Sequence, residues 1–299
     1  MINSPEDFYG TEGGYMLEGI IIKGIGGFYY VLAGDKVYEC RARGVFRKNK
    51  ITPMAGDNVG ITVSGDKGSI DEIFPRRSFL IRPPVANVDI LVIVIAAQSP
   101  DPNLTLVDKM LVQAARSGIE AVICINKTDL AEREDIAAAY EKAGYRVISV
   151  SAEAKENLGA LQELISGKIT AFSGLSGVGK SSLLNLLTGA VMETGHLSAR
   201  IERGRHTTRH VELIPVSGGF VLDTPGFSSL ELPEMDESEL EQYFPEIGGL
   251  SDRCRYRGCA HIKEQDCAVR EALEEGKIAQ SRYDSYCEFY KILKEKRNY

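Results

Sequence analysis

No stretch of this sequence is apolar for long enough to cross a bilayer as a helix. The longest such run, residues 90–97, has eight residues where a span needs about 20. A signal peptide's basic start and apolar core are missing too, since the first residues carry Glu6, Asp7 and Glu12. Low-complexity tracts are absent, and the composition is that of an ordinary globular protein. These absences lead us to expect a cytoplasmic protein, monomeric and without a membrane partner. Disulfides are not expected in a reducing compartment, so the six cysteines read as metal ligands or core residues. Positive charge is also in deficit. The formal net charge of −7 argues, taken whole, against nucleic acid as a partner.

The distribution of that charge changes the argument. Residues 41–50 hold five basic side chains and no acid, and residues 253–263 hold four and no acid. Seven acids and no base fall within 231–246, so much of the negative charge is concentrated away from those stretches.

At 299 residues the chain should form two or three domains. Residues 1–14 show no periodic pattern and read as a flexible tail. The segments 16–23, 28–32, 36–43, 58–64 and 69–74 are short, β-prone and punctuated by glycines. Five such strands suit a small RNA-binding barrel over 15–78, for which an OB-fold is the five-stranded candidate and an SH3-like barrel fits nearly as well. After Pro83 and Pro84 the pattern becomes α/β. Strands at 90–96, 121–125 and 146–150 alternate with helices at 106–117 and 134–143, and Gly118 and Gly144 sit where helices stop. Further strands at 168–172, 211–216 and 220–222 extend a parallel sheet over a domain spanning 79–232. The remainder, 233–299, is helical and acidic, interrupted by a cysteine cluster.

The α/β region carries the nucleotide chemistry. Gly174, Leu175, Ser176, Gly177, Val178, Gly179, Lys180 and Ser181, followed by Ser182, match the phosphate loop G-x-x-x-x-G-K-S between a strand and a helix. Its glycines let backbone N–H groups wrap phosphates at a helix N-terminus, Lys180 would reach the β and γ phosphates, and Ser181 would bind Mg²⁺. Asp223, with Gly226 three residues on, follows the strand 220–222 where a magnesium-shell aspartate belongs. Asn126, Lys127, Thr128 and Asp129 follow another strand, and the Asp129 carboxylate can accept from guanine N1–H and N2–H₂, a pair adenine lacks. Ser151 and Ala152 fit the motif that supports the base. The guanine-reading motif thus precedes the phosphate loop, the reverse of the usual order. A parallel sheet can keep its spatial order if a helix at 158–165 joins the original ends and new ends open elsewhere.

Between phosphate loop and Asp223, residues 204–209 offer a switch threonine, either Thr207 or Thr208. Phe227 stands where many GTPases place the glutamine that orients the attacking water, so His206 or a partner is expected to supply that group.

In the C-terminal region Cys254, Cys259, His261 and Cys267 gather three thiolates and an imidazole within fourteen residues, the donor set of a closed, structural zinc site. Cys40, Cys124 and Cys287 read as small core residues. Arg253, Arg255, Arg257 and Lys263 interleave with the ligands, and RNA phosphates are their natural target.

Together these motifs, in this order, resemble the ribosome small subunit-dependent GTPases known as RsgA or YjeQ, over nearly the whole chain from about Met16. The resemblance implies an N-terminal OB-fold, a circularly permuted GTPase core and a C-terminal zinc domain. It also implies a role in late maturation of the small ribosomal subunit, binding its rRNA, with GTP as substrate and hydrolysis stimulated by that particle. An RNA-binding scaffold with structural nucleotide, and a P-loop ATPase or kinase, are the competing readings. Asp129 opposes the latter.

Overall fold

The computed structural model describes residues 15–81, 83–189, 211–224 and 231–297. Thr207, Thr208, His206, Gly226, Phe227 and the N-terminal tail lie outside the described residues.

The first five strands are β1 (Tyr15–Ile25), β2 (Phe28–Ala33), β3 (Lys36–Ala42), β4 (Asn58–Ser64) and β5 (Lys67–Ile73), with helix α1 (Gly44–Lys48) between β3 and β4. They close a barrel in the order β1-β2-β3-β5-β4, with β1 antiparallel to β4 and β3 parallel to β5. That is OB topology, and it discards the SH3-like alternative. Alternation fills the barrel: Val59, Ile61 and Val63 point inward together with Val31, Cys40 and Ile70.

A two-stranded ribbon, β6 (Phe79–Leu80) and β7 (Val85–Ala86), leads into the sheet. Buried Asp57 holds the joint, its carboxylate receiving Arg76 Nε at 2.6 Å and Nη2 at 2.9 Å. The Asn87 amide donates to Gly56 O at 2.9 Å.

Next come β8 (Ile90–Ala96), α2 (Leu104–Arg116), β9 (Glu120–Asn126), α3 (Glu134–Lys142), β10 (Arg146–Ser149), α4 (Leu158–Ile165), β11 (Ile169–Ser173), α5 (Lys180–Thr188), β12 (Ile214–Val216) and β13 (Gly219–Asp223). The sheet order is β10-β9-β8-β11-β13-β12, parallel except for β12. Both faces are covered, which is why β8 reads as an unbroken apolar run. Leu91, Ile93 and Ile95 share a core with α2 and α3, while Ile90, Val92 and Val94 share one with α4 and α5. Two expectations shift. Helix α2 begins at Leu104 because the Asn103 side chain accepts from Leu106 N. The strand expected over 211–216 starts only at Ile214 in this sheet, because Glu212 bridges to Lys23 and Leu213 N donates to Ile22 O at 2.9 Å, at a bulge in β1.

The C-terminal part contains two 3-10 turns, Glu237–Tyr243 and Ser251–Arg253, and helices α6 (Pro245–Gly248), α7 (Ala268–Glu274) and α8 (Gln280–Arg297). On α8, Tyr286, Phe289 and Leu293 recur at helical spacing and pack with Leu240, Phe244 and Val269. Val112 of α2 belongs to the same cluster, so this core is continued onto the GTPase domain. Cys40 and Cys124 are buried core residues as expected, and Cys287 is half-buried and packs against the C-terminal core.

Candidate nucleotide site and metal centre

The ends of β8, β9, β10, β11 and β13 converge on one edge of the sheet. Register fixes this: Ala96 lies opposite Asn126, Ser149 opposite Ile125, and Phe172 opposite Asp223. Strand β11 stands where the sheet order reverses direction, and a crevice opens at such a switch point. The phosphate loop fills it. Gly174 has φ +140° and Gly179 φ +93°; a Cβ on the first would meet Val94 O at 2.1 Å, and on the second Asn126 Nδ2 at 2.2 Å. Glycine is therefore required there by close approach as well as by backbone angle. Helix α5 begins at Lys180, whose ammonium donates to Gly174 O and Leu175 O, both at 2.8 Å. Burial pushes the Lys180 pKa below its ordinary value, and nearby Asp223 works against that shift. Ser181 and Ser182 occupy the first turn of the same helix.

Asp223 ends β13 with a largely buried carboxylate. Burial holds its pKa above the usual range, opposed by Lys180 and by the Thr224 backbone. Among the described residues no donor reaches its Oδ1. An orphaned buried carboxylate oxygen beside a lysine fits a magnesium shell, because a cation or its water would supply the missing partner. Buried Thr224 fixes the strand end by donating from both N and Oγ1 to Phe172 O at 2.9 Å.

The guanine-reading corner is tied to this loop. Buried Asn126 donates from Nδ2 to Val178 O at 2.8 Å and accepts from Ala152 N at 3.0 Å, so one amide spans three motifs. Ser151 Oγ donates to Asp129 Oδ1 at 2.5 Å and accepts from Ala154 N at 2.9 Å. Lys127, at φ +64°, donates to Ser99 O in the loop after β8.

In the C-terminal domain the ligand atoms of Cys254, Cys259, His261 and Cys267 lie within 4.8 Å of one another. The Cys254 and Cys267 sulfurs are 3.9 Å apart and each is 3.5 Å from His261 Nδ1. A tetrahedron with Zn–S bonds of ~2.3 Å has edges of about 3.8 Å, so the donor set fits zinc. His261 Nε2 is 2.9 Å from Glu241 Oε2, which holds the ring with Nδ1 toward the thiols. Without a metal, burial pushes the Cys259 thiol up to about 12.

Comparison with known proteins fits this geometry. The model of the RsgA GTPase family matches residues 73–233, and that of the RsgA N-terminal domain matches residues 18–70. A protein of Alkaliphilus metalliredigens named small ribosomal subunit biogenesis GTPase RsgA is 48% identical over 292 residues, covering 95% of this chain and all of that protein. The chain belongs to the RsgA GTPase family. A relative of the same name from Geobacillus thermodenitrificans is also 48% identical, over 94% of this chain and 99% of its own length. Two solved RsgA-like structures share the architecture. YloQ, described as a circularly permuted GTPase, superposes with a TM-score of 0.79 at 44% identity, covering 94% of this chain and 96% of its own. YjeQ from Thermotoga maritima gives 0.77 at 33% identity, with 93% and 98% covered.

The chain is thus a GTP hydrolase with a circularly permuted core. Of the residues singled out in the sequence, the structure brings together Asn126, Asp129, Ser151 and Ala152 on one side of the phosphate loop and Lys180 and Asp223 on the other. Sequence reasoning missed Thr224, the Ser99 contact of Lys127, and Glu241 behind His261. Glu241 sits in an acidic run that reads as a solvated face, and no local spacing marks it as a histidine partner.

Proposed function

We propose that this RsgA-family GTPase binds the small ribosomal subunit and its rRNA, assists its late maturation in the cytoplasm, and hydrolyses GTP to GDP and phosphate under stimulation by the subunit. It acts as a monomer without a membrane partner, and no described helix is long and apolar enough to cross a membrane. One observation carries the reading: a guanine-reading corner and a phosphate loop share one sheet edge, on a chain whose curated relatives bear the name of small-subunit biogenesis GTPases.

In this reading Asp129 accepts from guanine N1–H and N2–H₂, and Ser151 holds its carboxylate in place. Asn126 keeps base and phosphate subsites at a fixed spacing. The backbone from Gly174 to Gly179 cradles the phosphates. Lys180 exchanges the carbonyls of its own loop for phosphate oxygens, which its depressed pKa favours because an anionic partner restores the charged form. Ser181 and Asp223 hold Mg²⁺, which when bound neutralises charge on the β and γ phosphates. Thr207 or Thr208 and the Gly226 N–H sense the γ phosphate, and His206 or the subunit orients the attacking water. Zinc held by Cys254, Cys259, His261 and Cys267 fixes the loop 254–267 against the core of the C-terminal domain. The barrel's Arg41, Arg43, Arg47, Lys48 and Lys50 and the zinc domain's arginines meet RNA phosphates.

A turnover assay with GTP or ATP, with and without purified small subunits, tests the whole reading. GTP turnover should rise many-fold with small subunits, and ATP should not be used. No stimulation by any ribosomal particle, or equal use of ATP, would overturn it.

A further inference from the structure

The zinc loop carries an aromatic ring that the domain does not need. Tyr256 lies between ligands Cys254 and Cys259, is 50% exposed, and is not among the residues of the C-terminal core. Arg255 places its guanidinium 5.5 Å from the ring centroid and is itself held by Asp266 at 2.5 Å. A further backbone bond, Arg255 N to Asp266 O at 3.3 Å, ties this strand of the loop to the segment preceding Cys267. The ring is therefore presented by a loop that metal ligands and an ion pair pin on both sides. An exposed aromatic on such a support has its conformational cost of binding already met.

The charge around it selects the partner. Three acids fall within 252–267, but Glu264 accepts the N–H groups of Ala260, Ile262 and Lys263, and Asp266 pairs with Arg255. Only Asp252 stands outside these bonds, against exposed Arg253, Arg257 and Lys263. An exposed ring with a guanidinium 5.5 Å from its centroid, on a loop that also carries exposed Arg253, Arg257 and Lys263, fits a flat π-face attached to a polyanion. We infer that Tyr256 is a stacking platform for an unpaired RNA base, with Arg253, Arg257 and Lys263 on the flanking phosphates. This rests on the ribosomal reading only for the identity of the RNA.

The experiment uses the full chain with a GTP analogue and zinc content verified, titrated with purified small subunits and with a single-stranded RNA oligonucleotide at several salt concentrations. Tyr256→Ala and Tyr256→Leu should each weaken binding about tenfold while leaving the slope of log K against log salt unchanged, and Tyr256→Phe should bind like the parent. Arg257→Ala should instead reduce that slope by roughly one unit. Unchanged binding of Tyr256→Leu to both probes overturns the inference, as does a lowered salt slope. A loss seen on intact subunits but not on the oligonucleotide also overturns it, since the ring would then meet a ribosomal protein. Failure of the parent chain to bind subunits counts against the ribosomal reading alone, and the oligonucleotide still decides the stacking.

Discussion

At the scale of single residues, the burial of Asp223 costs stability that a bound cation would offset. Asp223 is largely buried and has an oxygen without a donor among the described residues. Its pKa is raised, so from 3.8 upward to the raised value the folded chain holds more protons than the unfolded one, and stability falls as pH rises through that window. Asp223→Asn should therefore stabilise the nucleotide-free protein at neutral pH by about 1 kcal/mol while reducing magnesium-dependent GTP hydrolysis at least a hundredfold. A lower melting temperature for this variant would contradict the account. Ser151 makes a charge-assisted hydrogen bond to Asp129, and removing it should free the guanine-reading carboxylate to turn. For Ser151→Ala we expect the KM for GTP to rise about tenfold and the preference for GTP over ATP to shrink, as read by nucleotide competition.

At the scale of elements, helix α2 works on two sides. Leu106, Val107, Met110, Leu111 and Ala114 face the sheet, while Asp108 and Val112, one turn apart, face the C-terminal domain. There Arg282 of α8 is almost fully buried, donating to Asp108 at 2.6 Å and to Glu246 at 2.7 and 3.2 Å, with its guanidinium 4.4 Å from the Phe244 ring centroid. Tyr140 of α3 also donates to Asp108, at 2.9 Å. Removing the cation leaves two buried carboxylates unpaired. Arg282→Ala should cost about 3–5 kcal/mol and detach the C-terminal domain first, seen as an early calorimetric transition and new proteolytic cleavage around α8. Replacing Arg282, Asp108 and Glu246 together with apolar residues should recover most of that loss. The metal centre depends on a neighbouring element in the same way. Glu241 reaches His261 from the 3-10 turn, and Glu241→Gln should weaken zinc affinity about 10- to 100-fold in a chelator competition without altering GTP binding.

At the scale of the molecule, the barrel and the C-terminal domain are fastened to the GTPase domain by different contacts. Only 27 residues separate Gly226 from Cys254, and in the proposed function hydrolysis would act through that short link to loosen the grip of the zinc domain on RNA. The Arg282 network and the shared Val112 contact fasten that domain to α2, so any movement should carry α2 with it. The barrel has its own attachment: Lys23 pairs with Glu212 at 3.0 Å, two residues before β12. Glu212→Lys should reduce the ratio of subunit affinities measured with GTP analogue and with GDP, and Lys23→Glu in the same chain should restore it. An unchanged ratio in the single variant would separate the barrel from the nucleotide state.

The sequence by itself determined what is local. Glycine spacing, the strand–loop–helix context of 174–181, the alternation inside the barrel and the cysteine spacing of the metal centre each depend on near neighbours in the chain, so their chemistry could be read residue by residue. The reversed motif order was equally legible, since it is a property of the chain. Tertiary structure alone decided what depends on distant segments meeting. It chose the OB order through the parallel pairing of β3 with β5, and it turned residues 211–213 away from their own sheet because a bulge in β1 exposes a carbonyl there. It made Asn126 a clamp across 52 residues and Glu241 a partner of His261 across 20, and it buried Arg282 against an aspartate 174 positions away. Side-chain hydrogen bonds of that reach leave no periodic trace in a sequence, because nothing in local backbone preference depends on them.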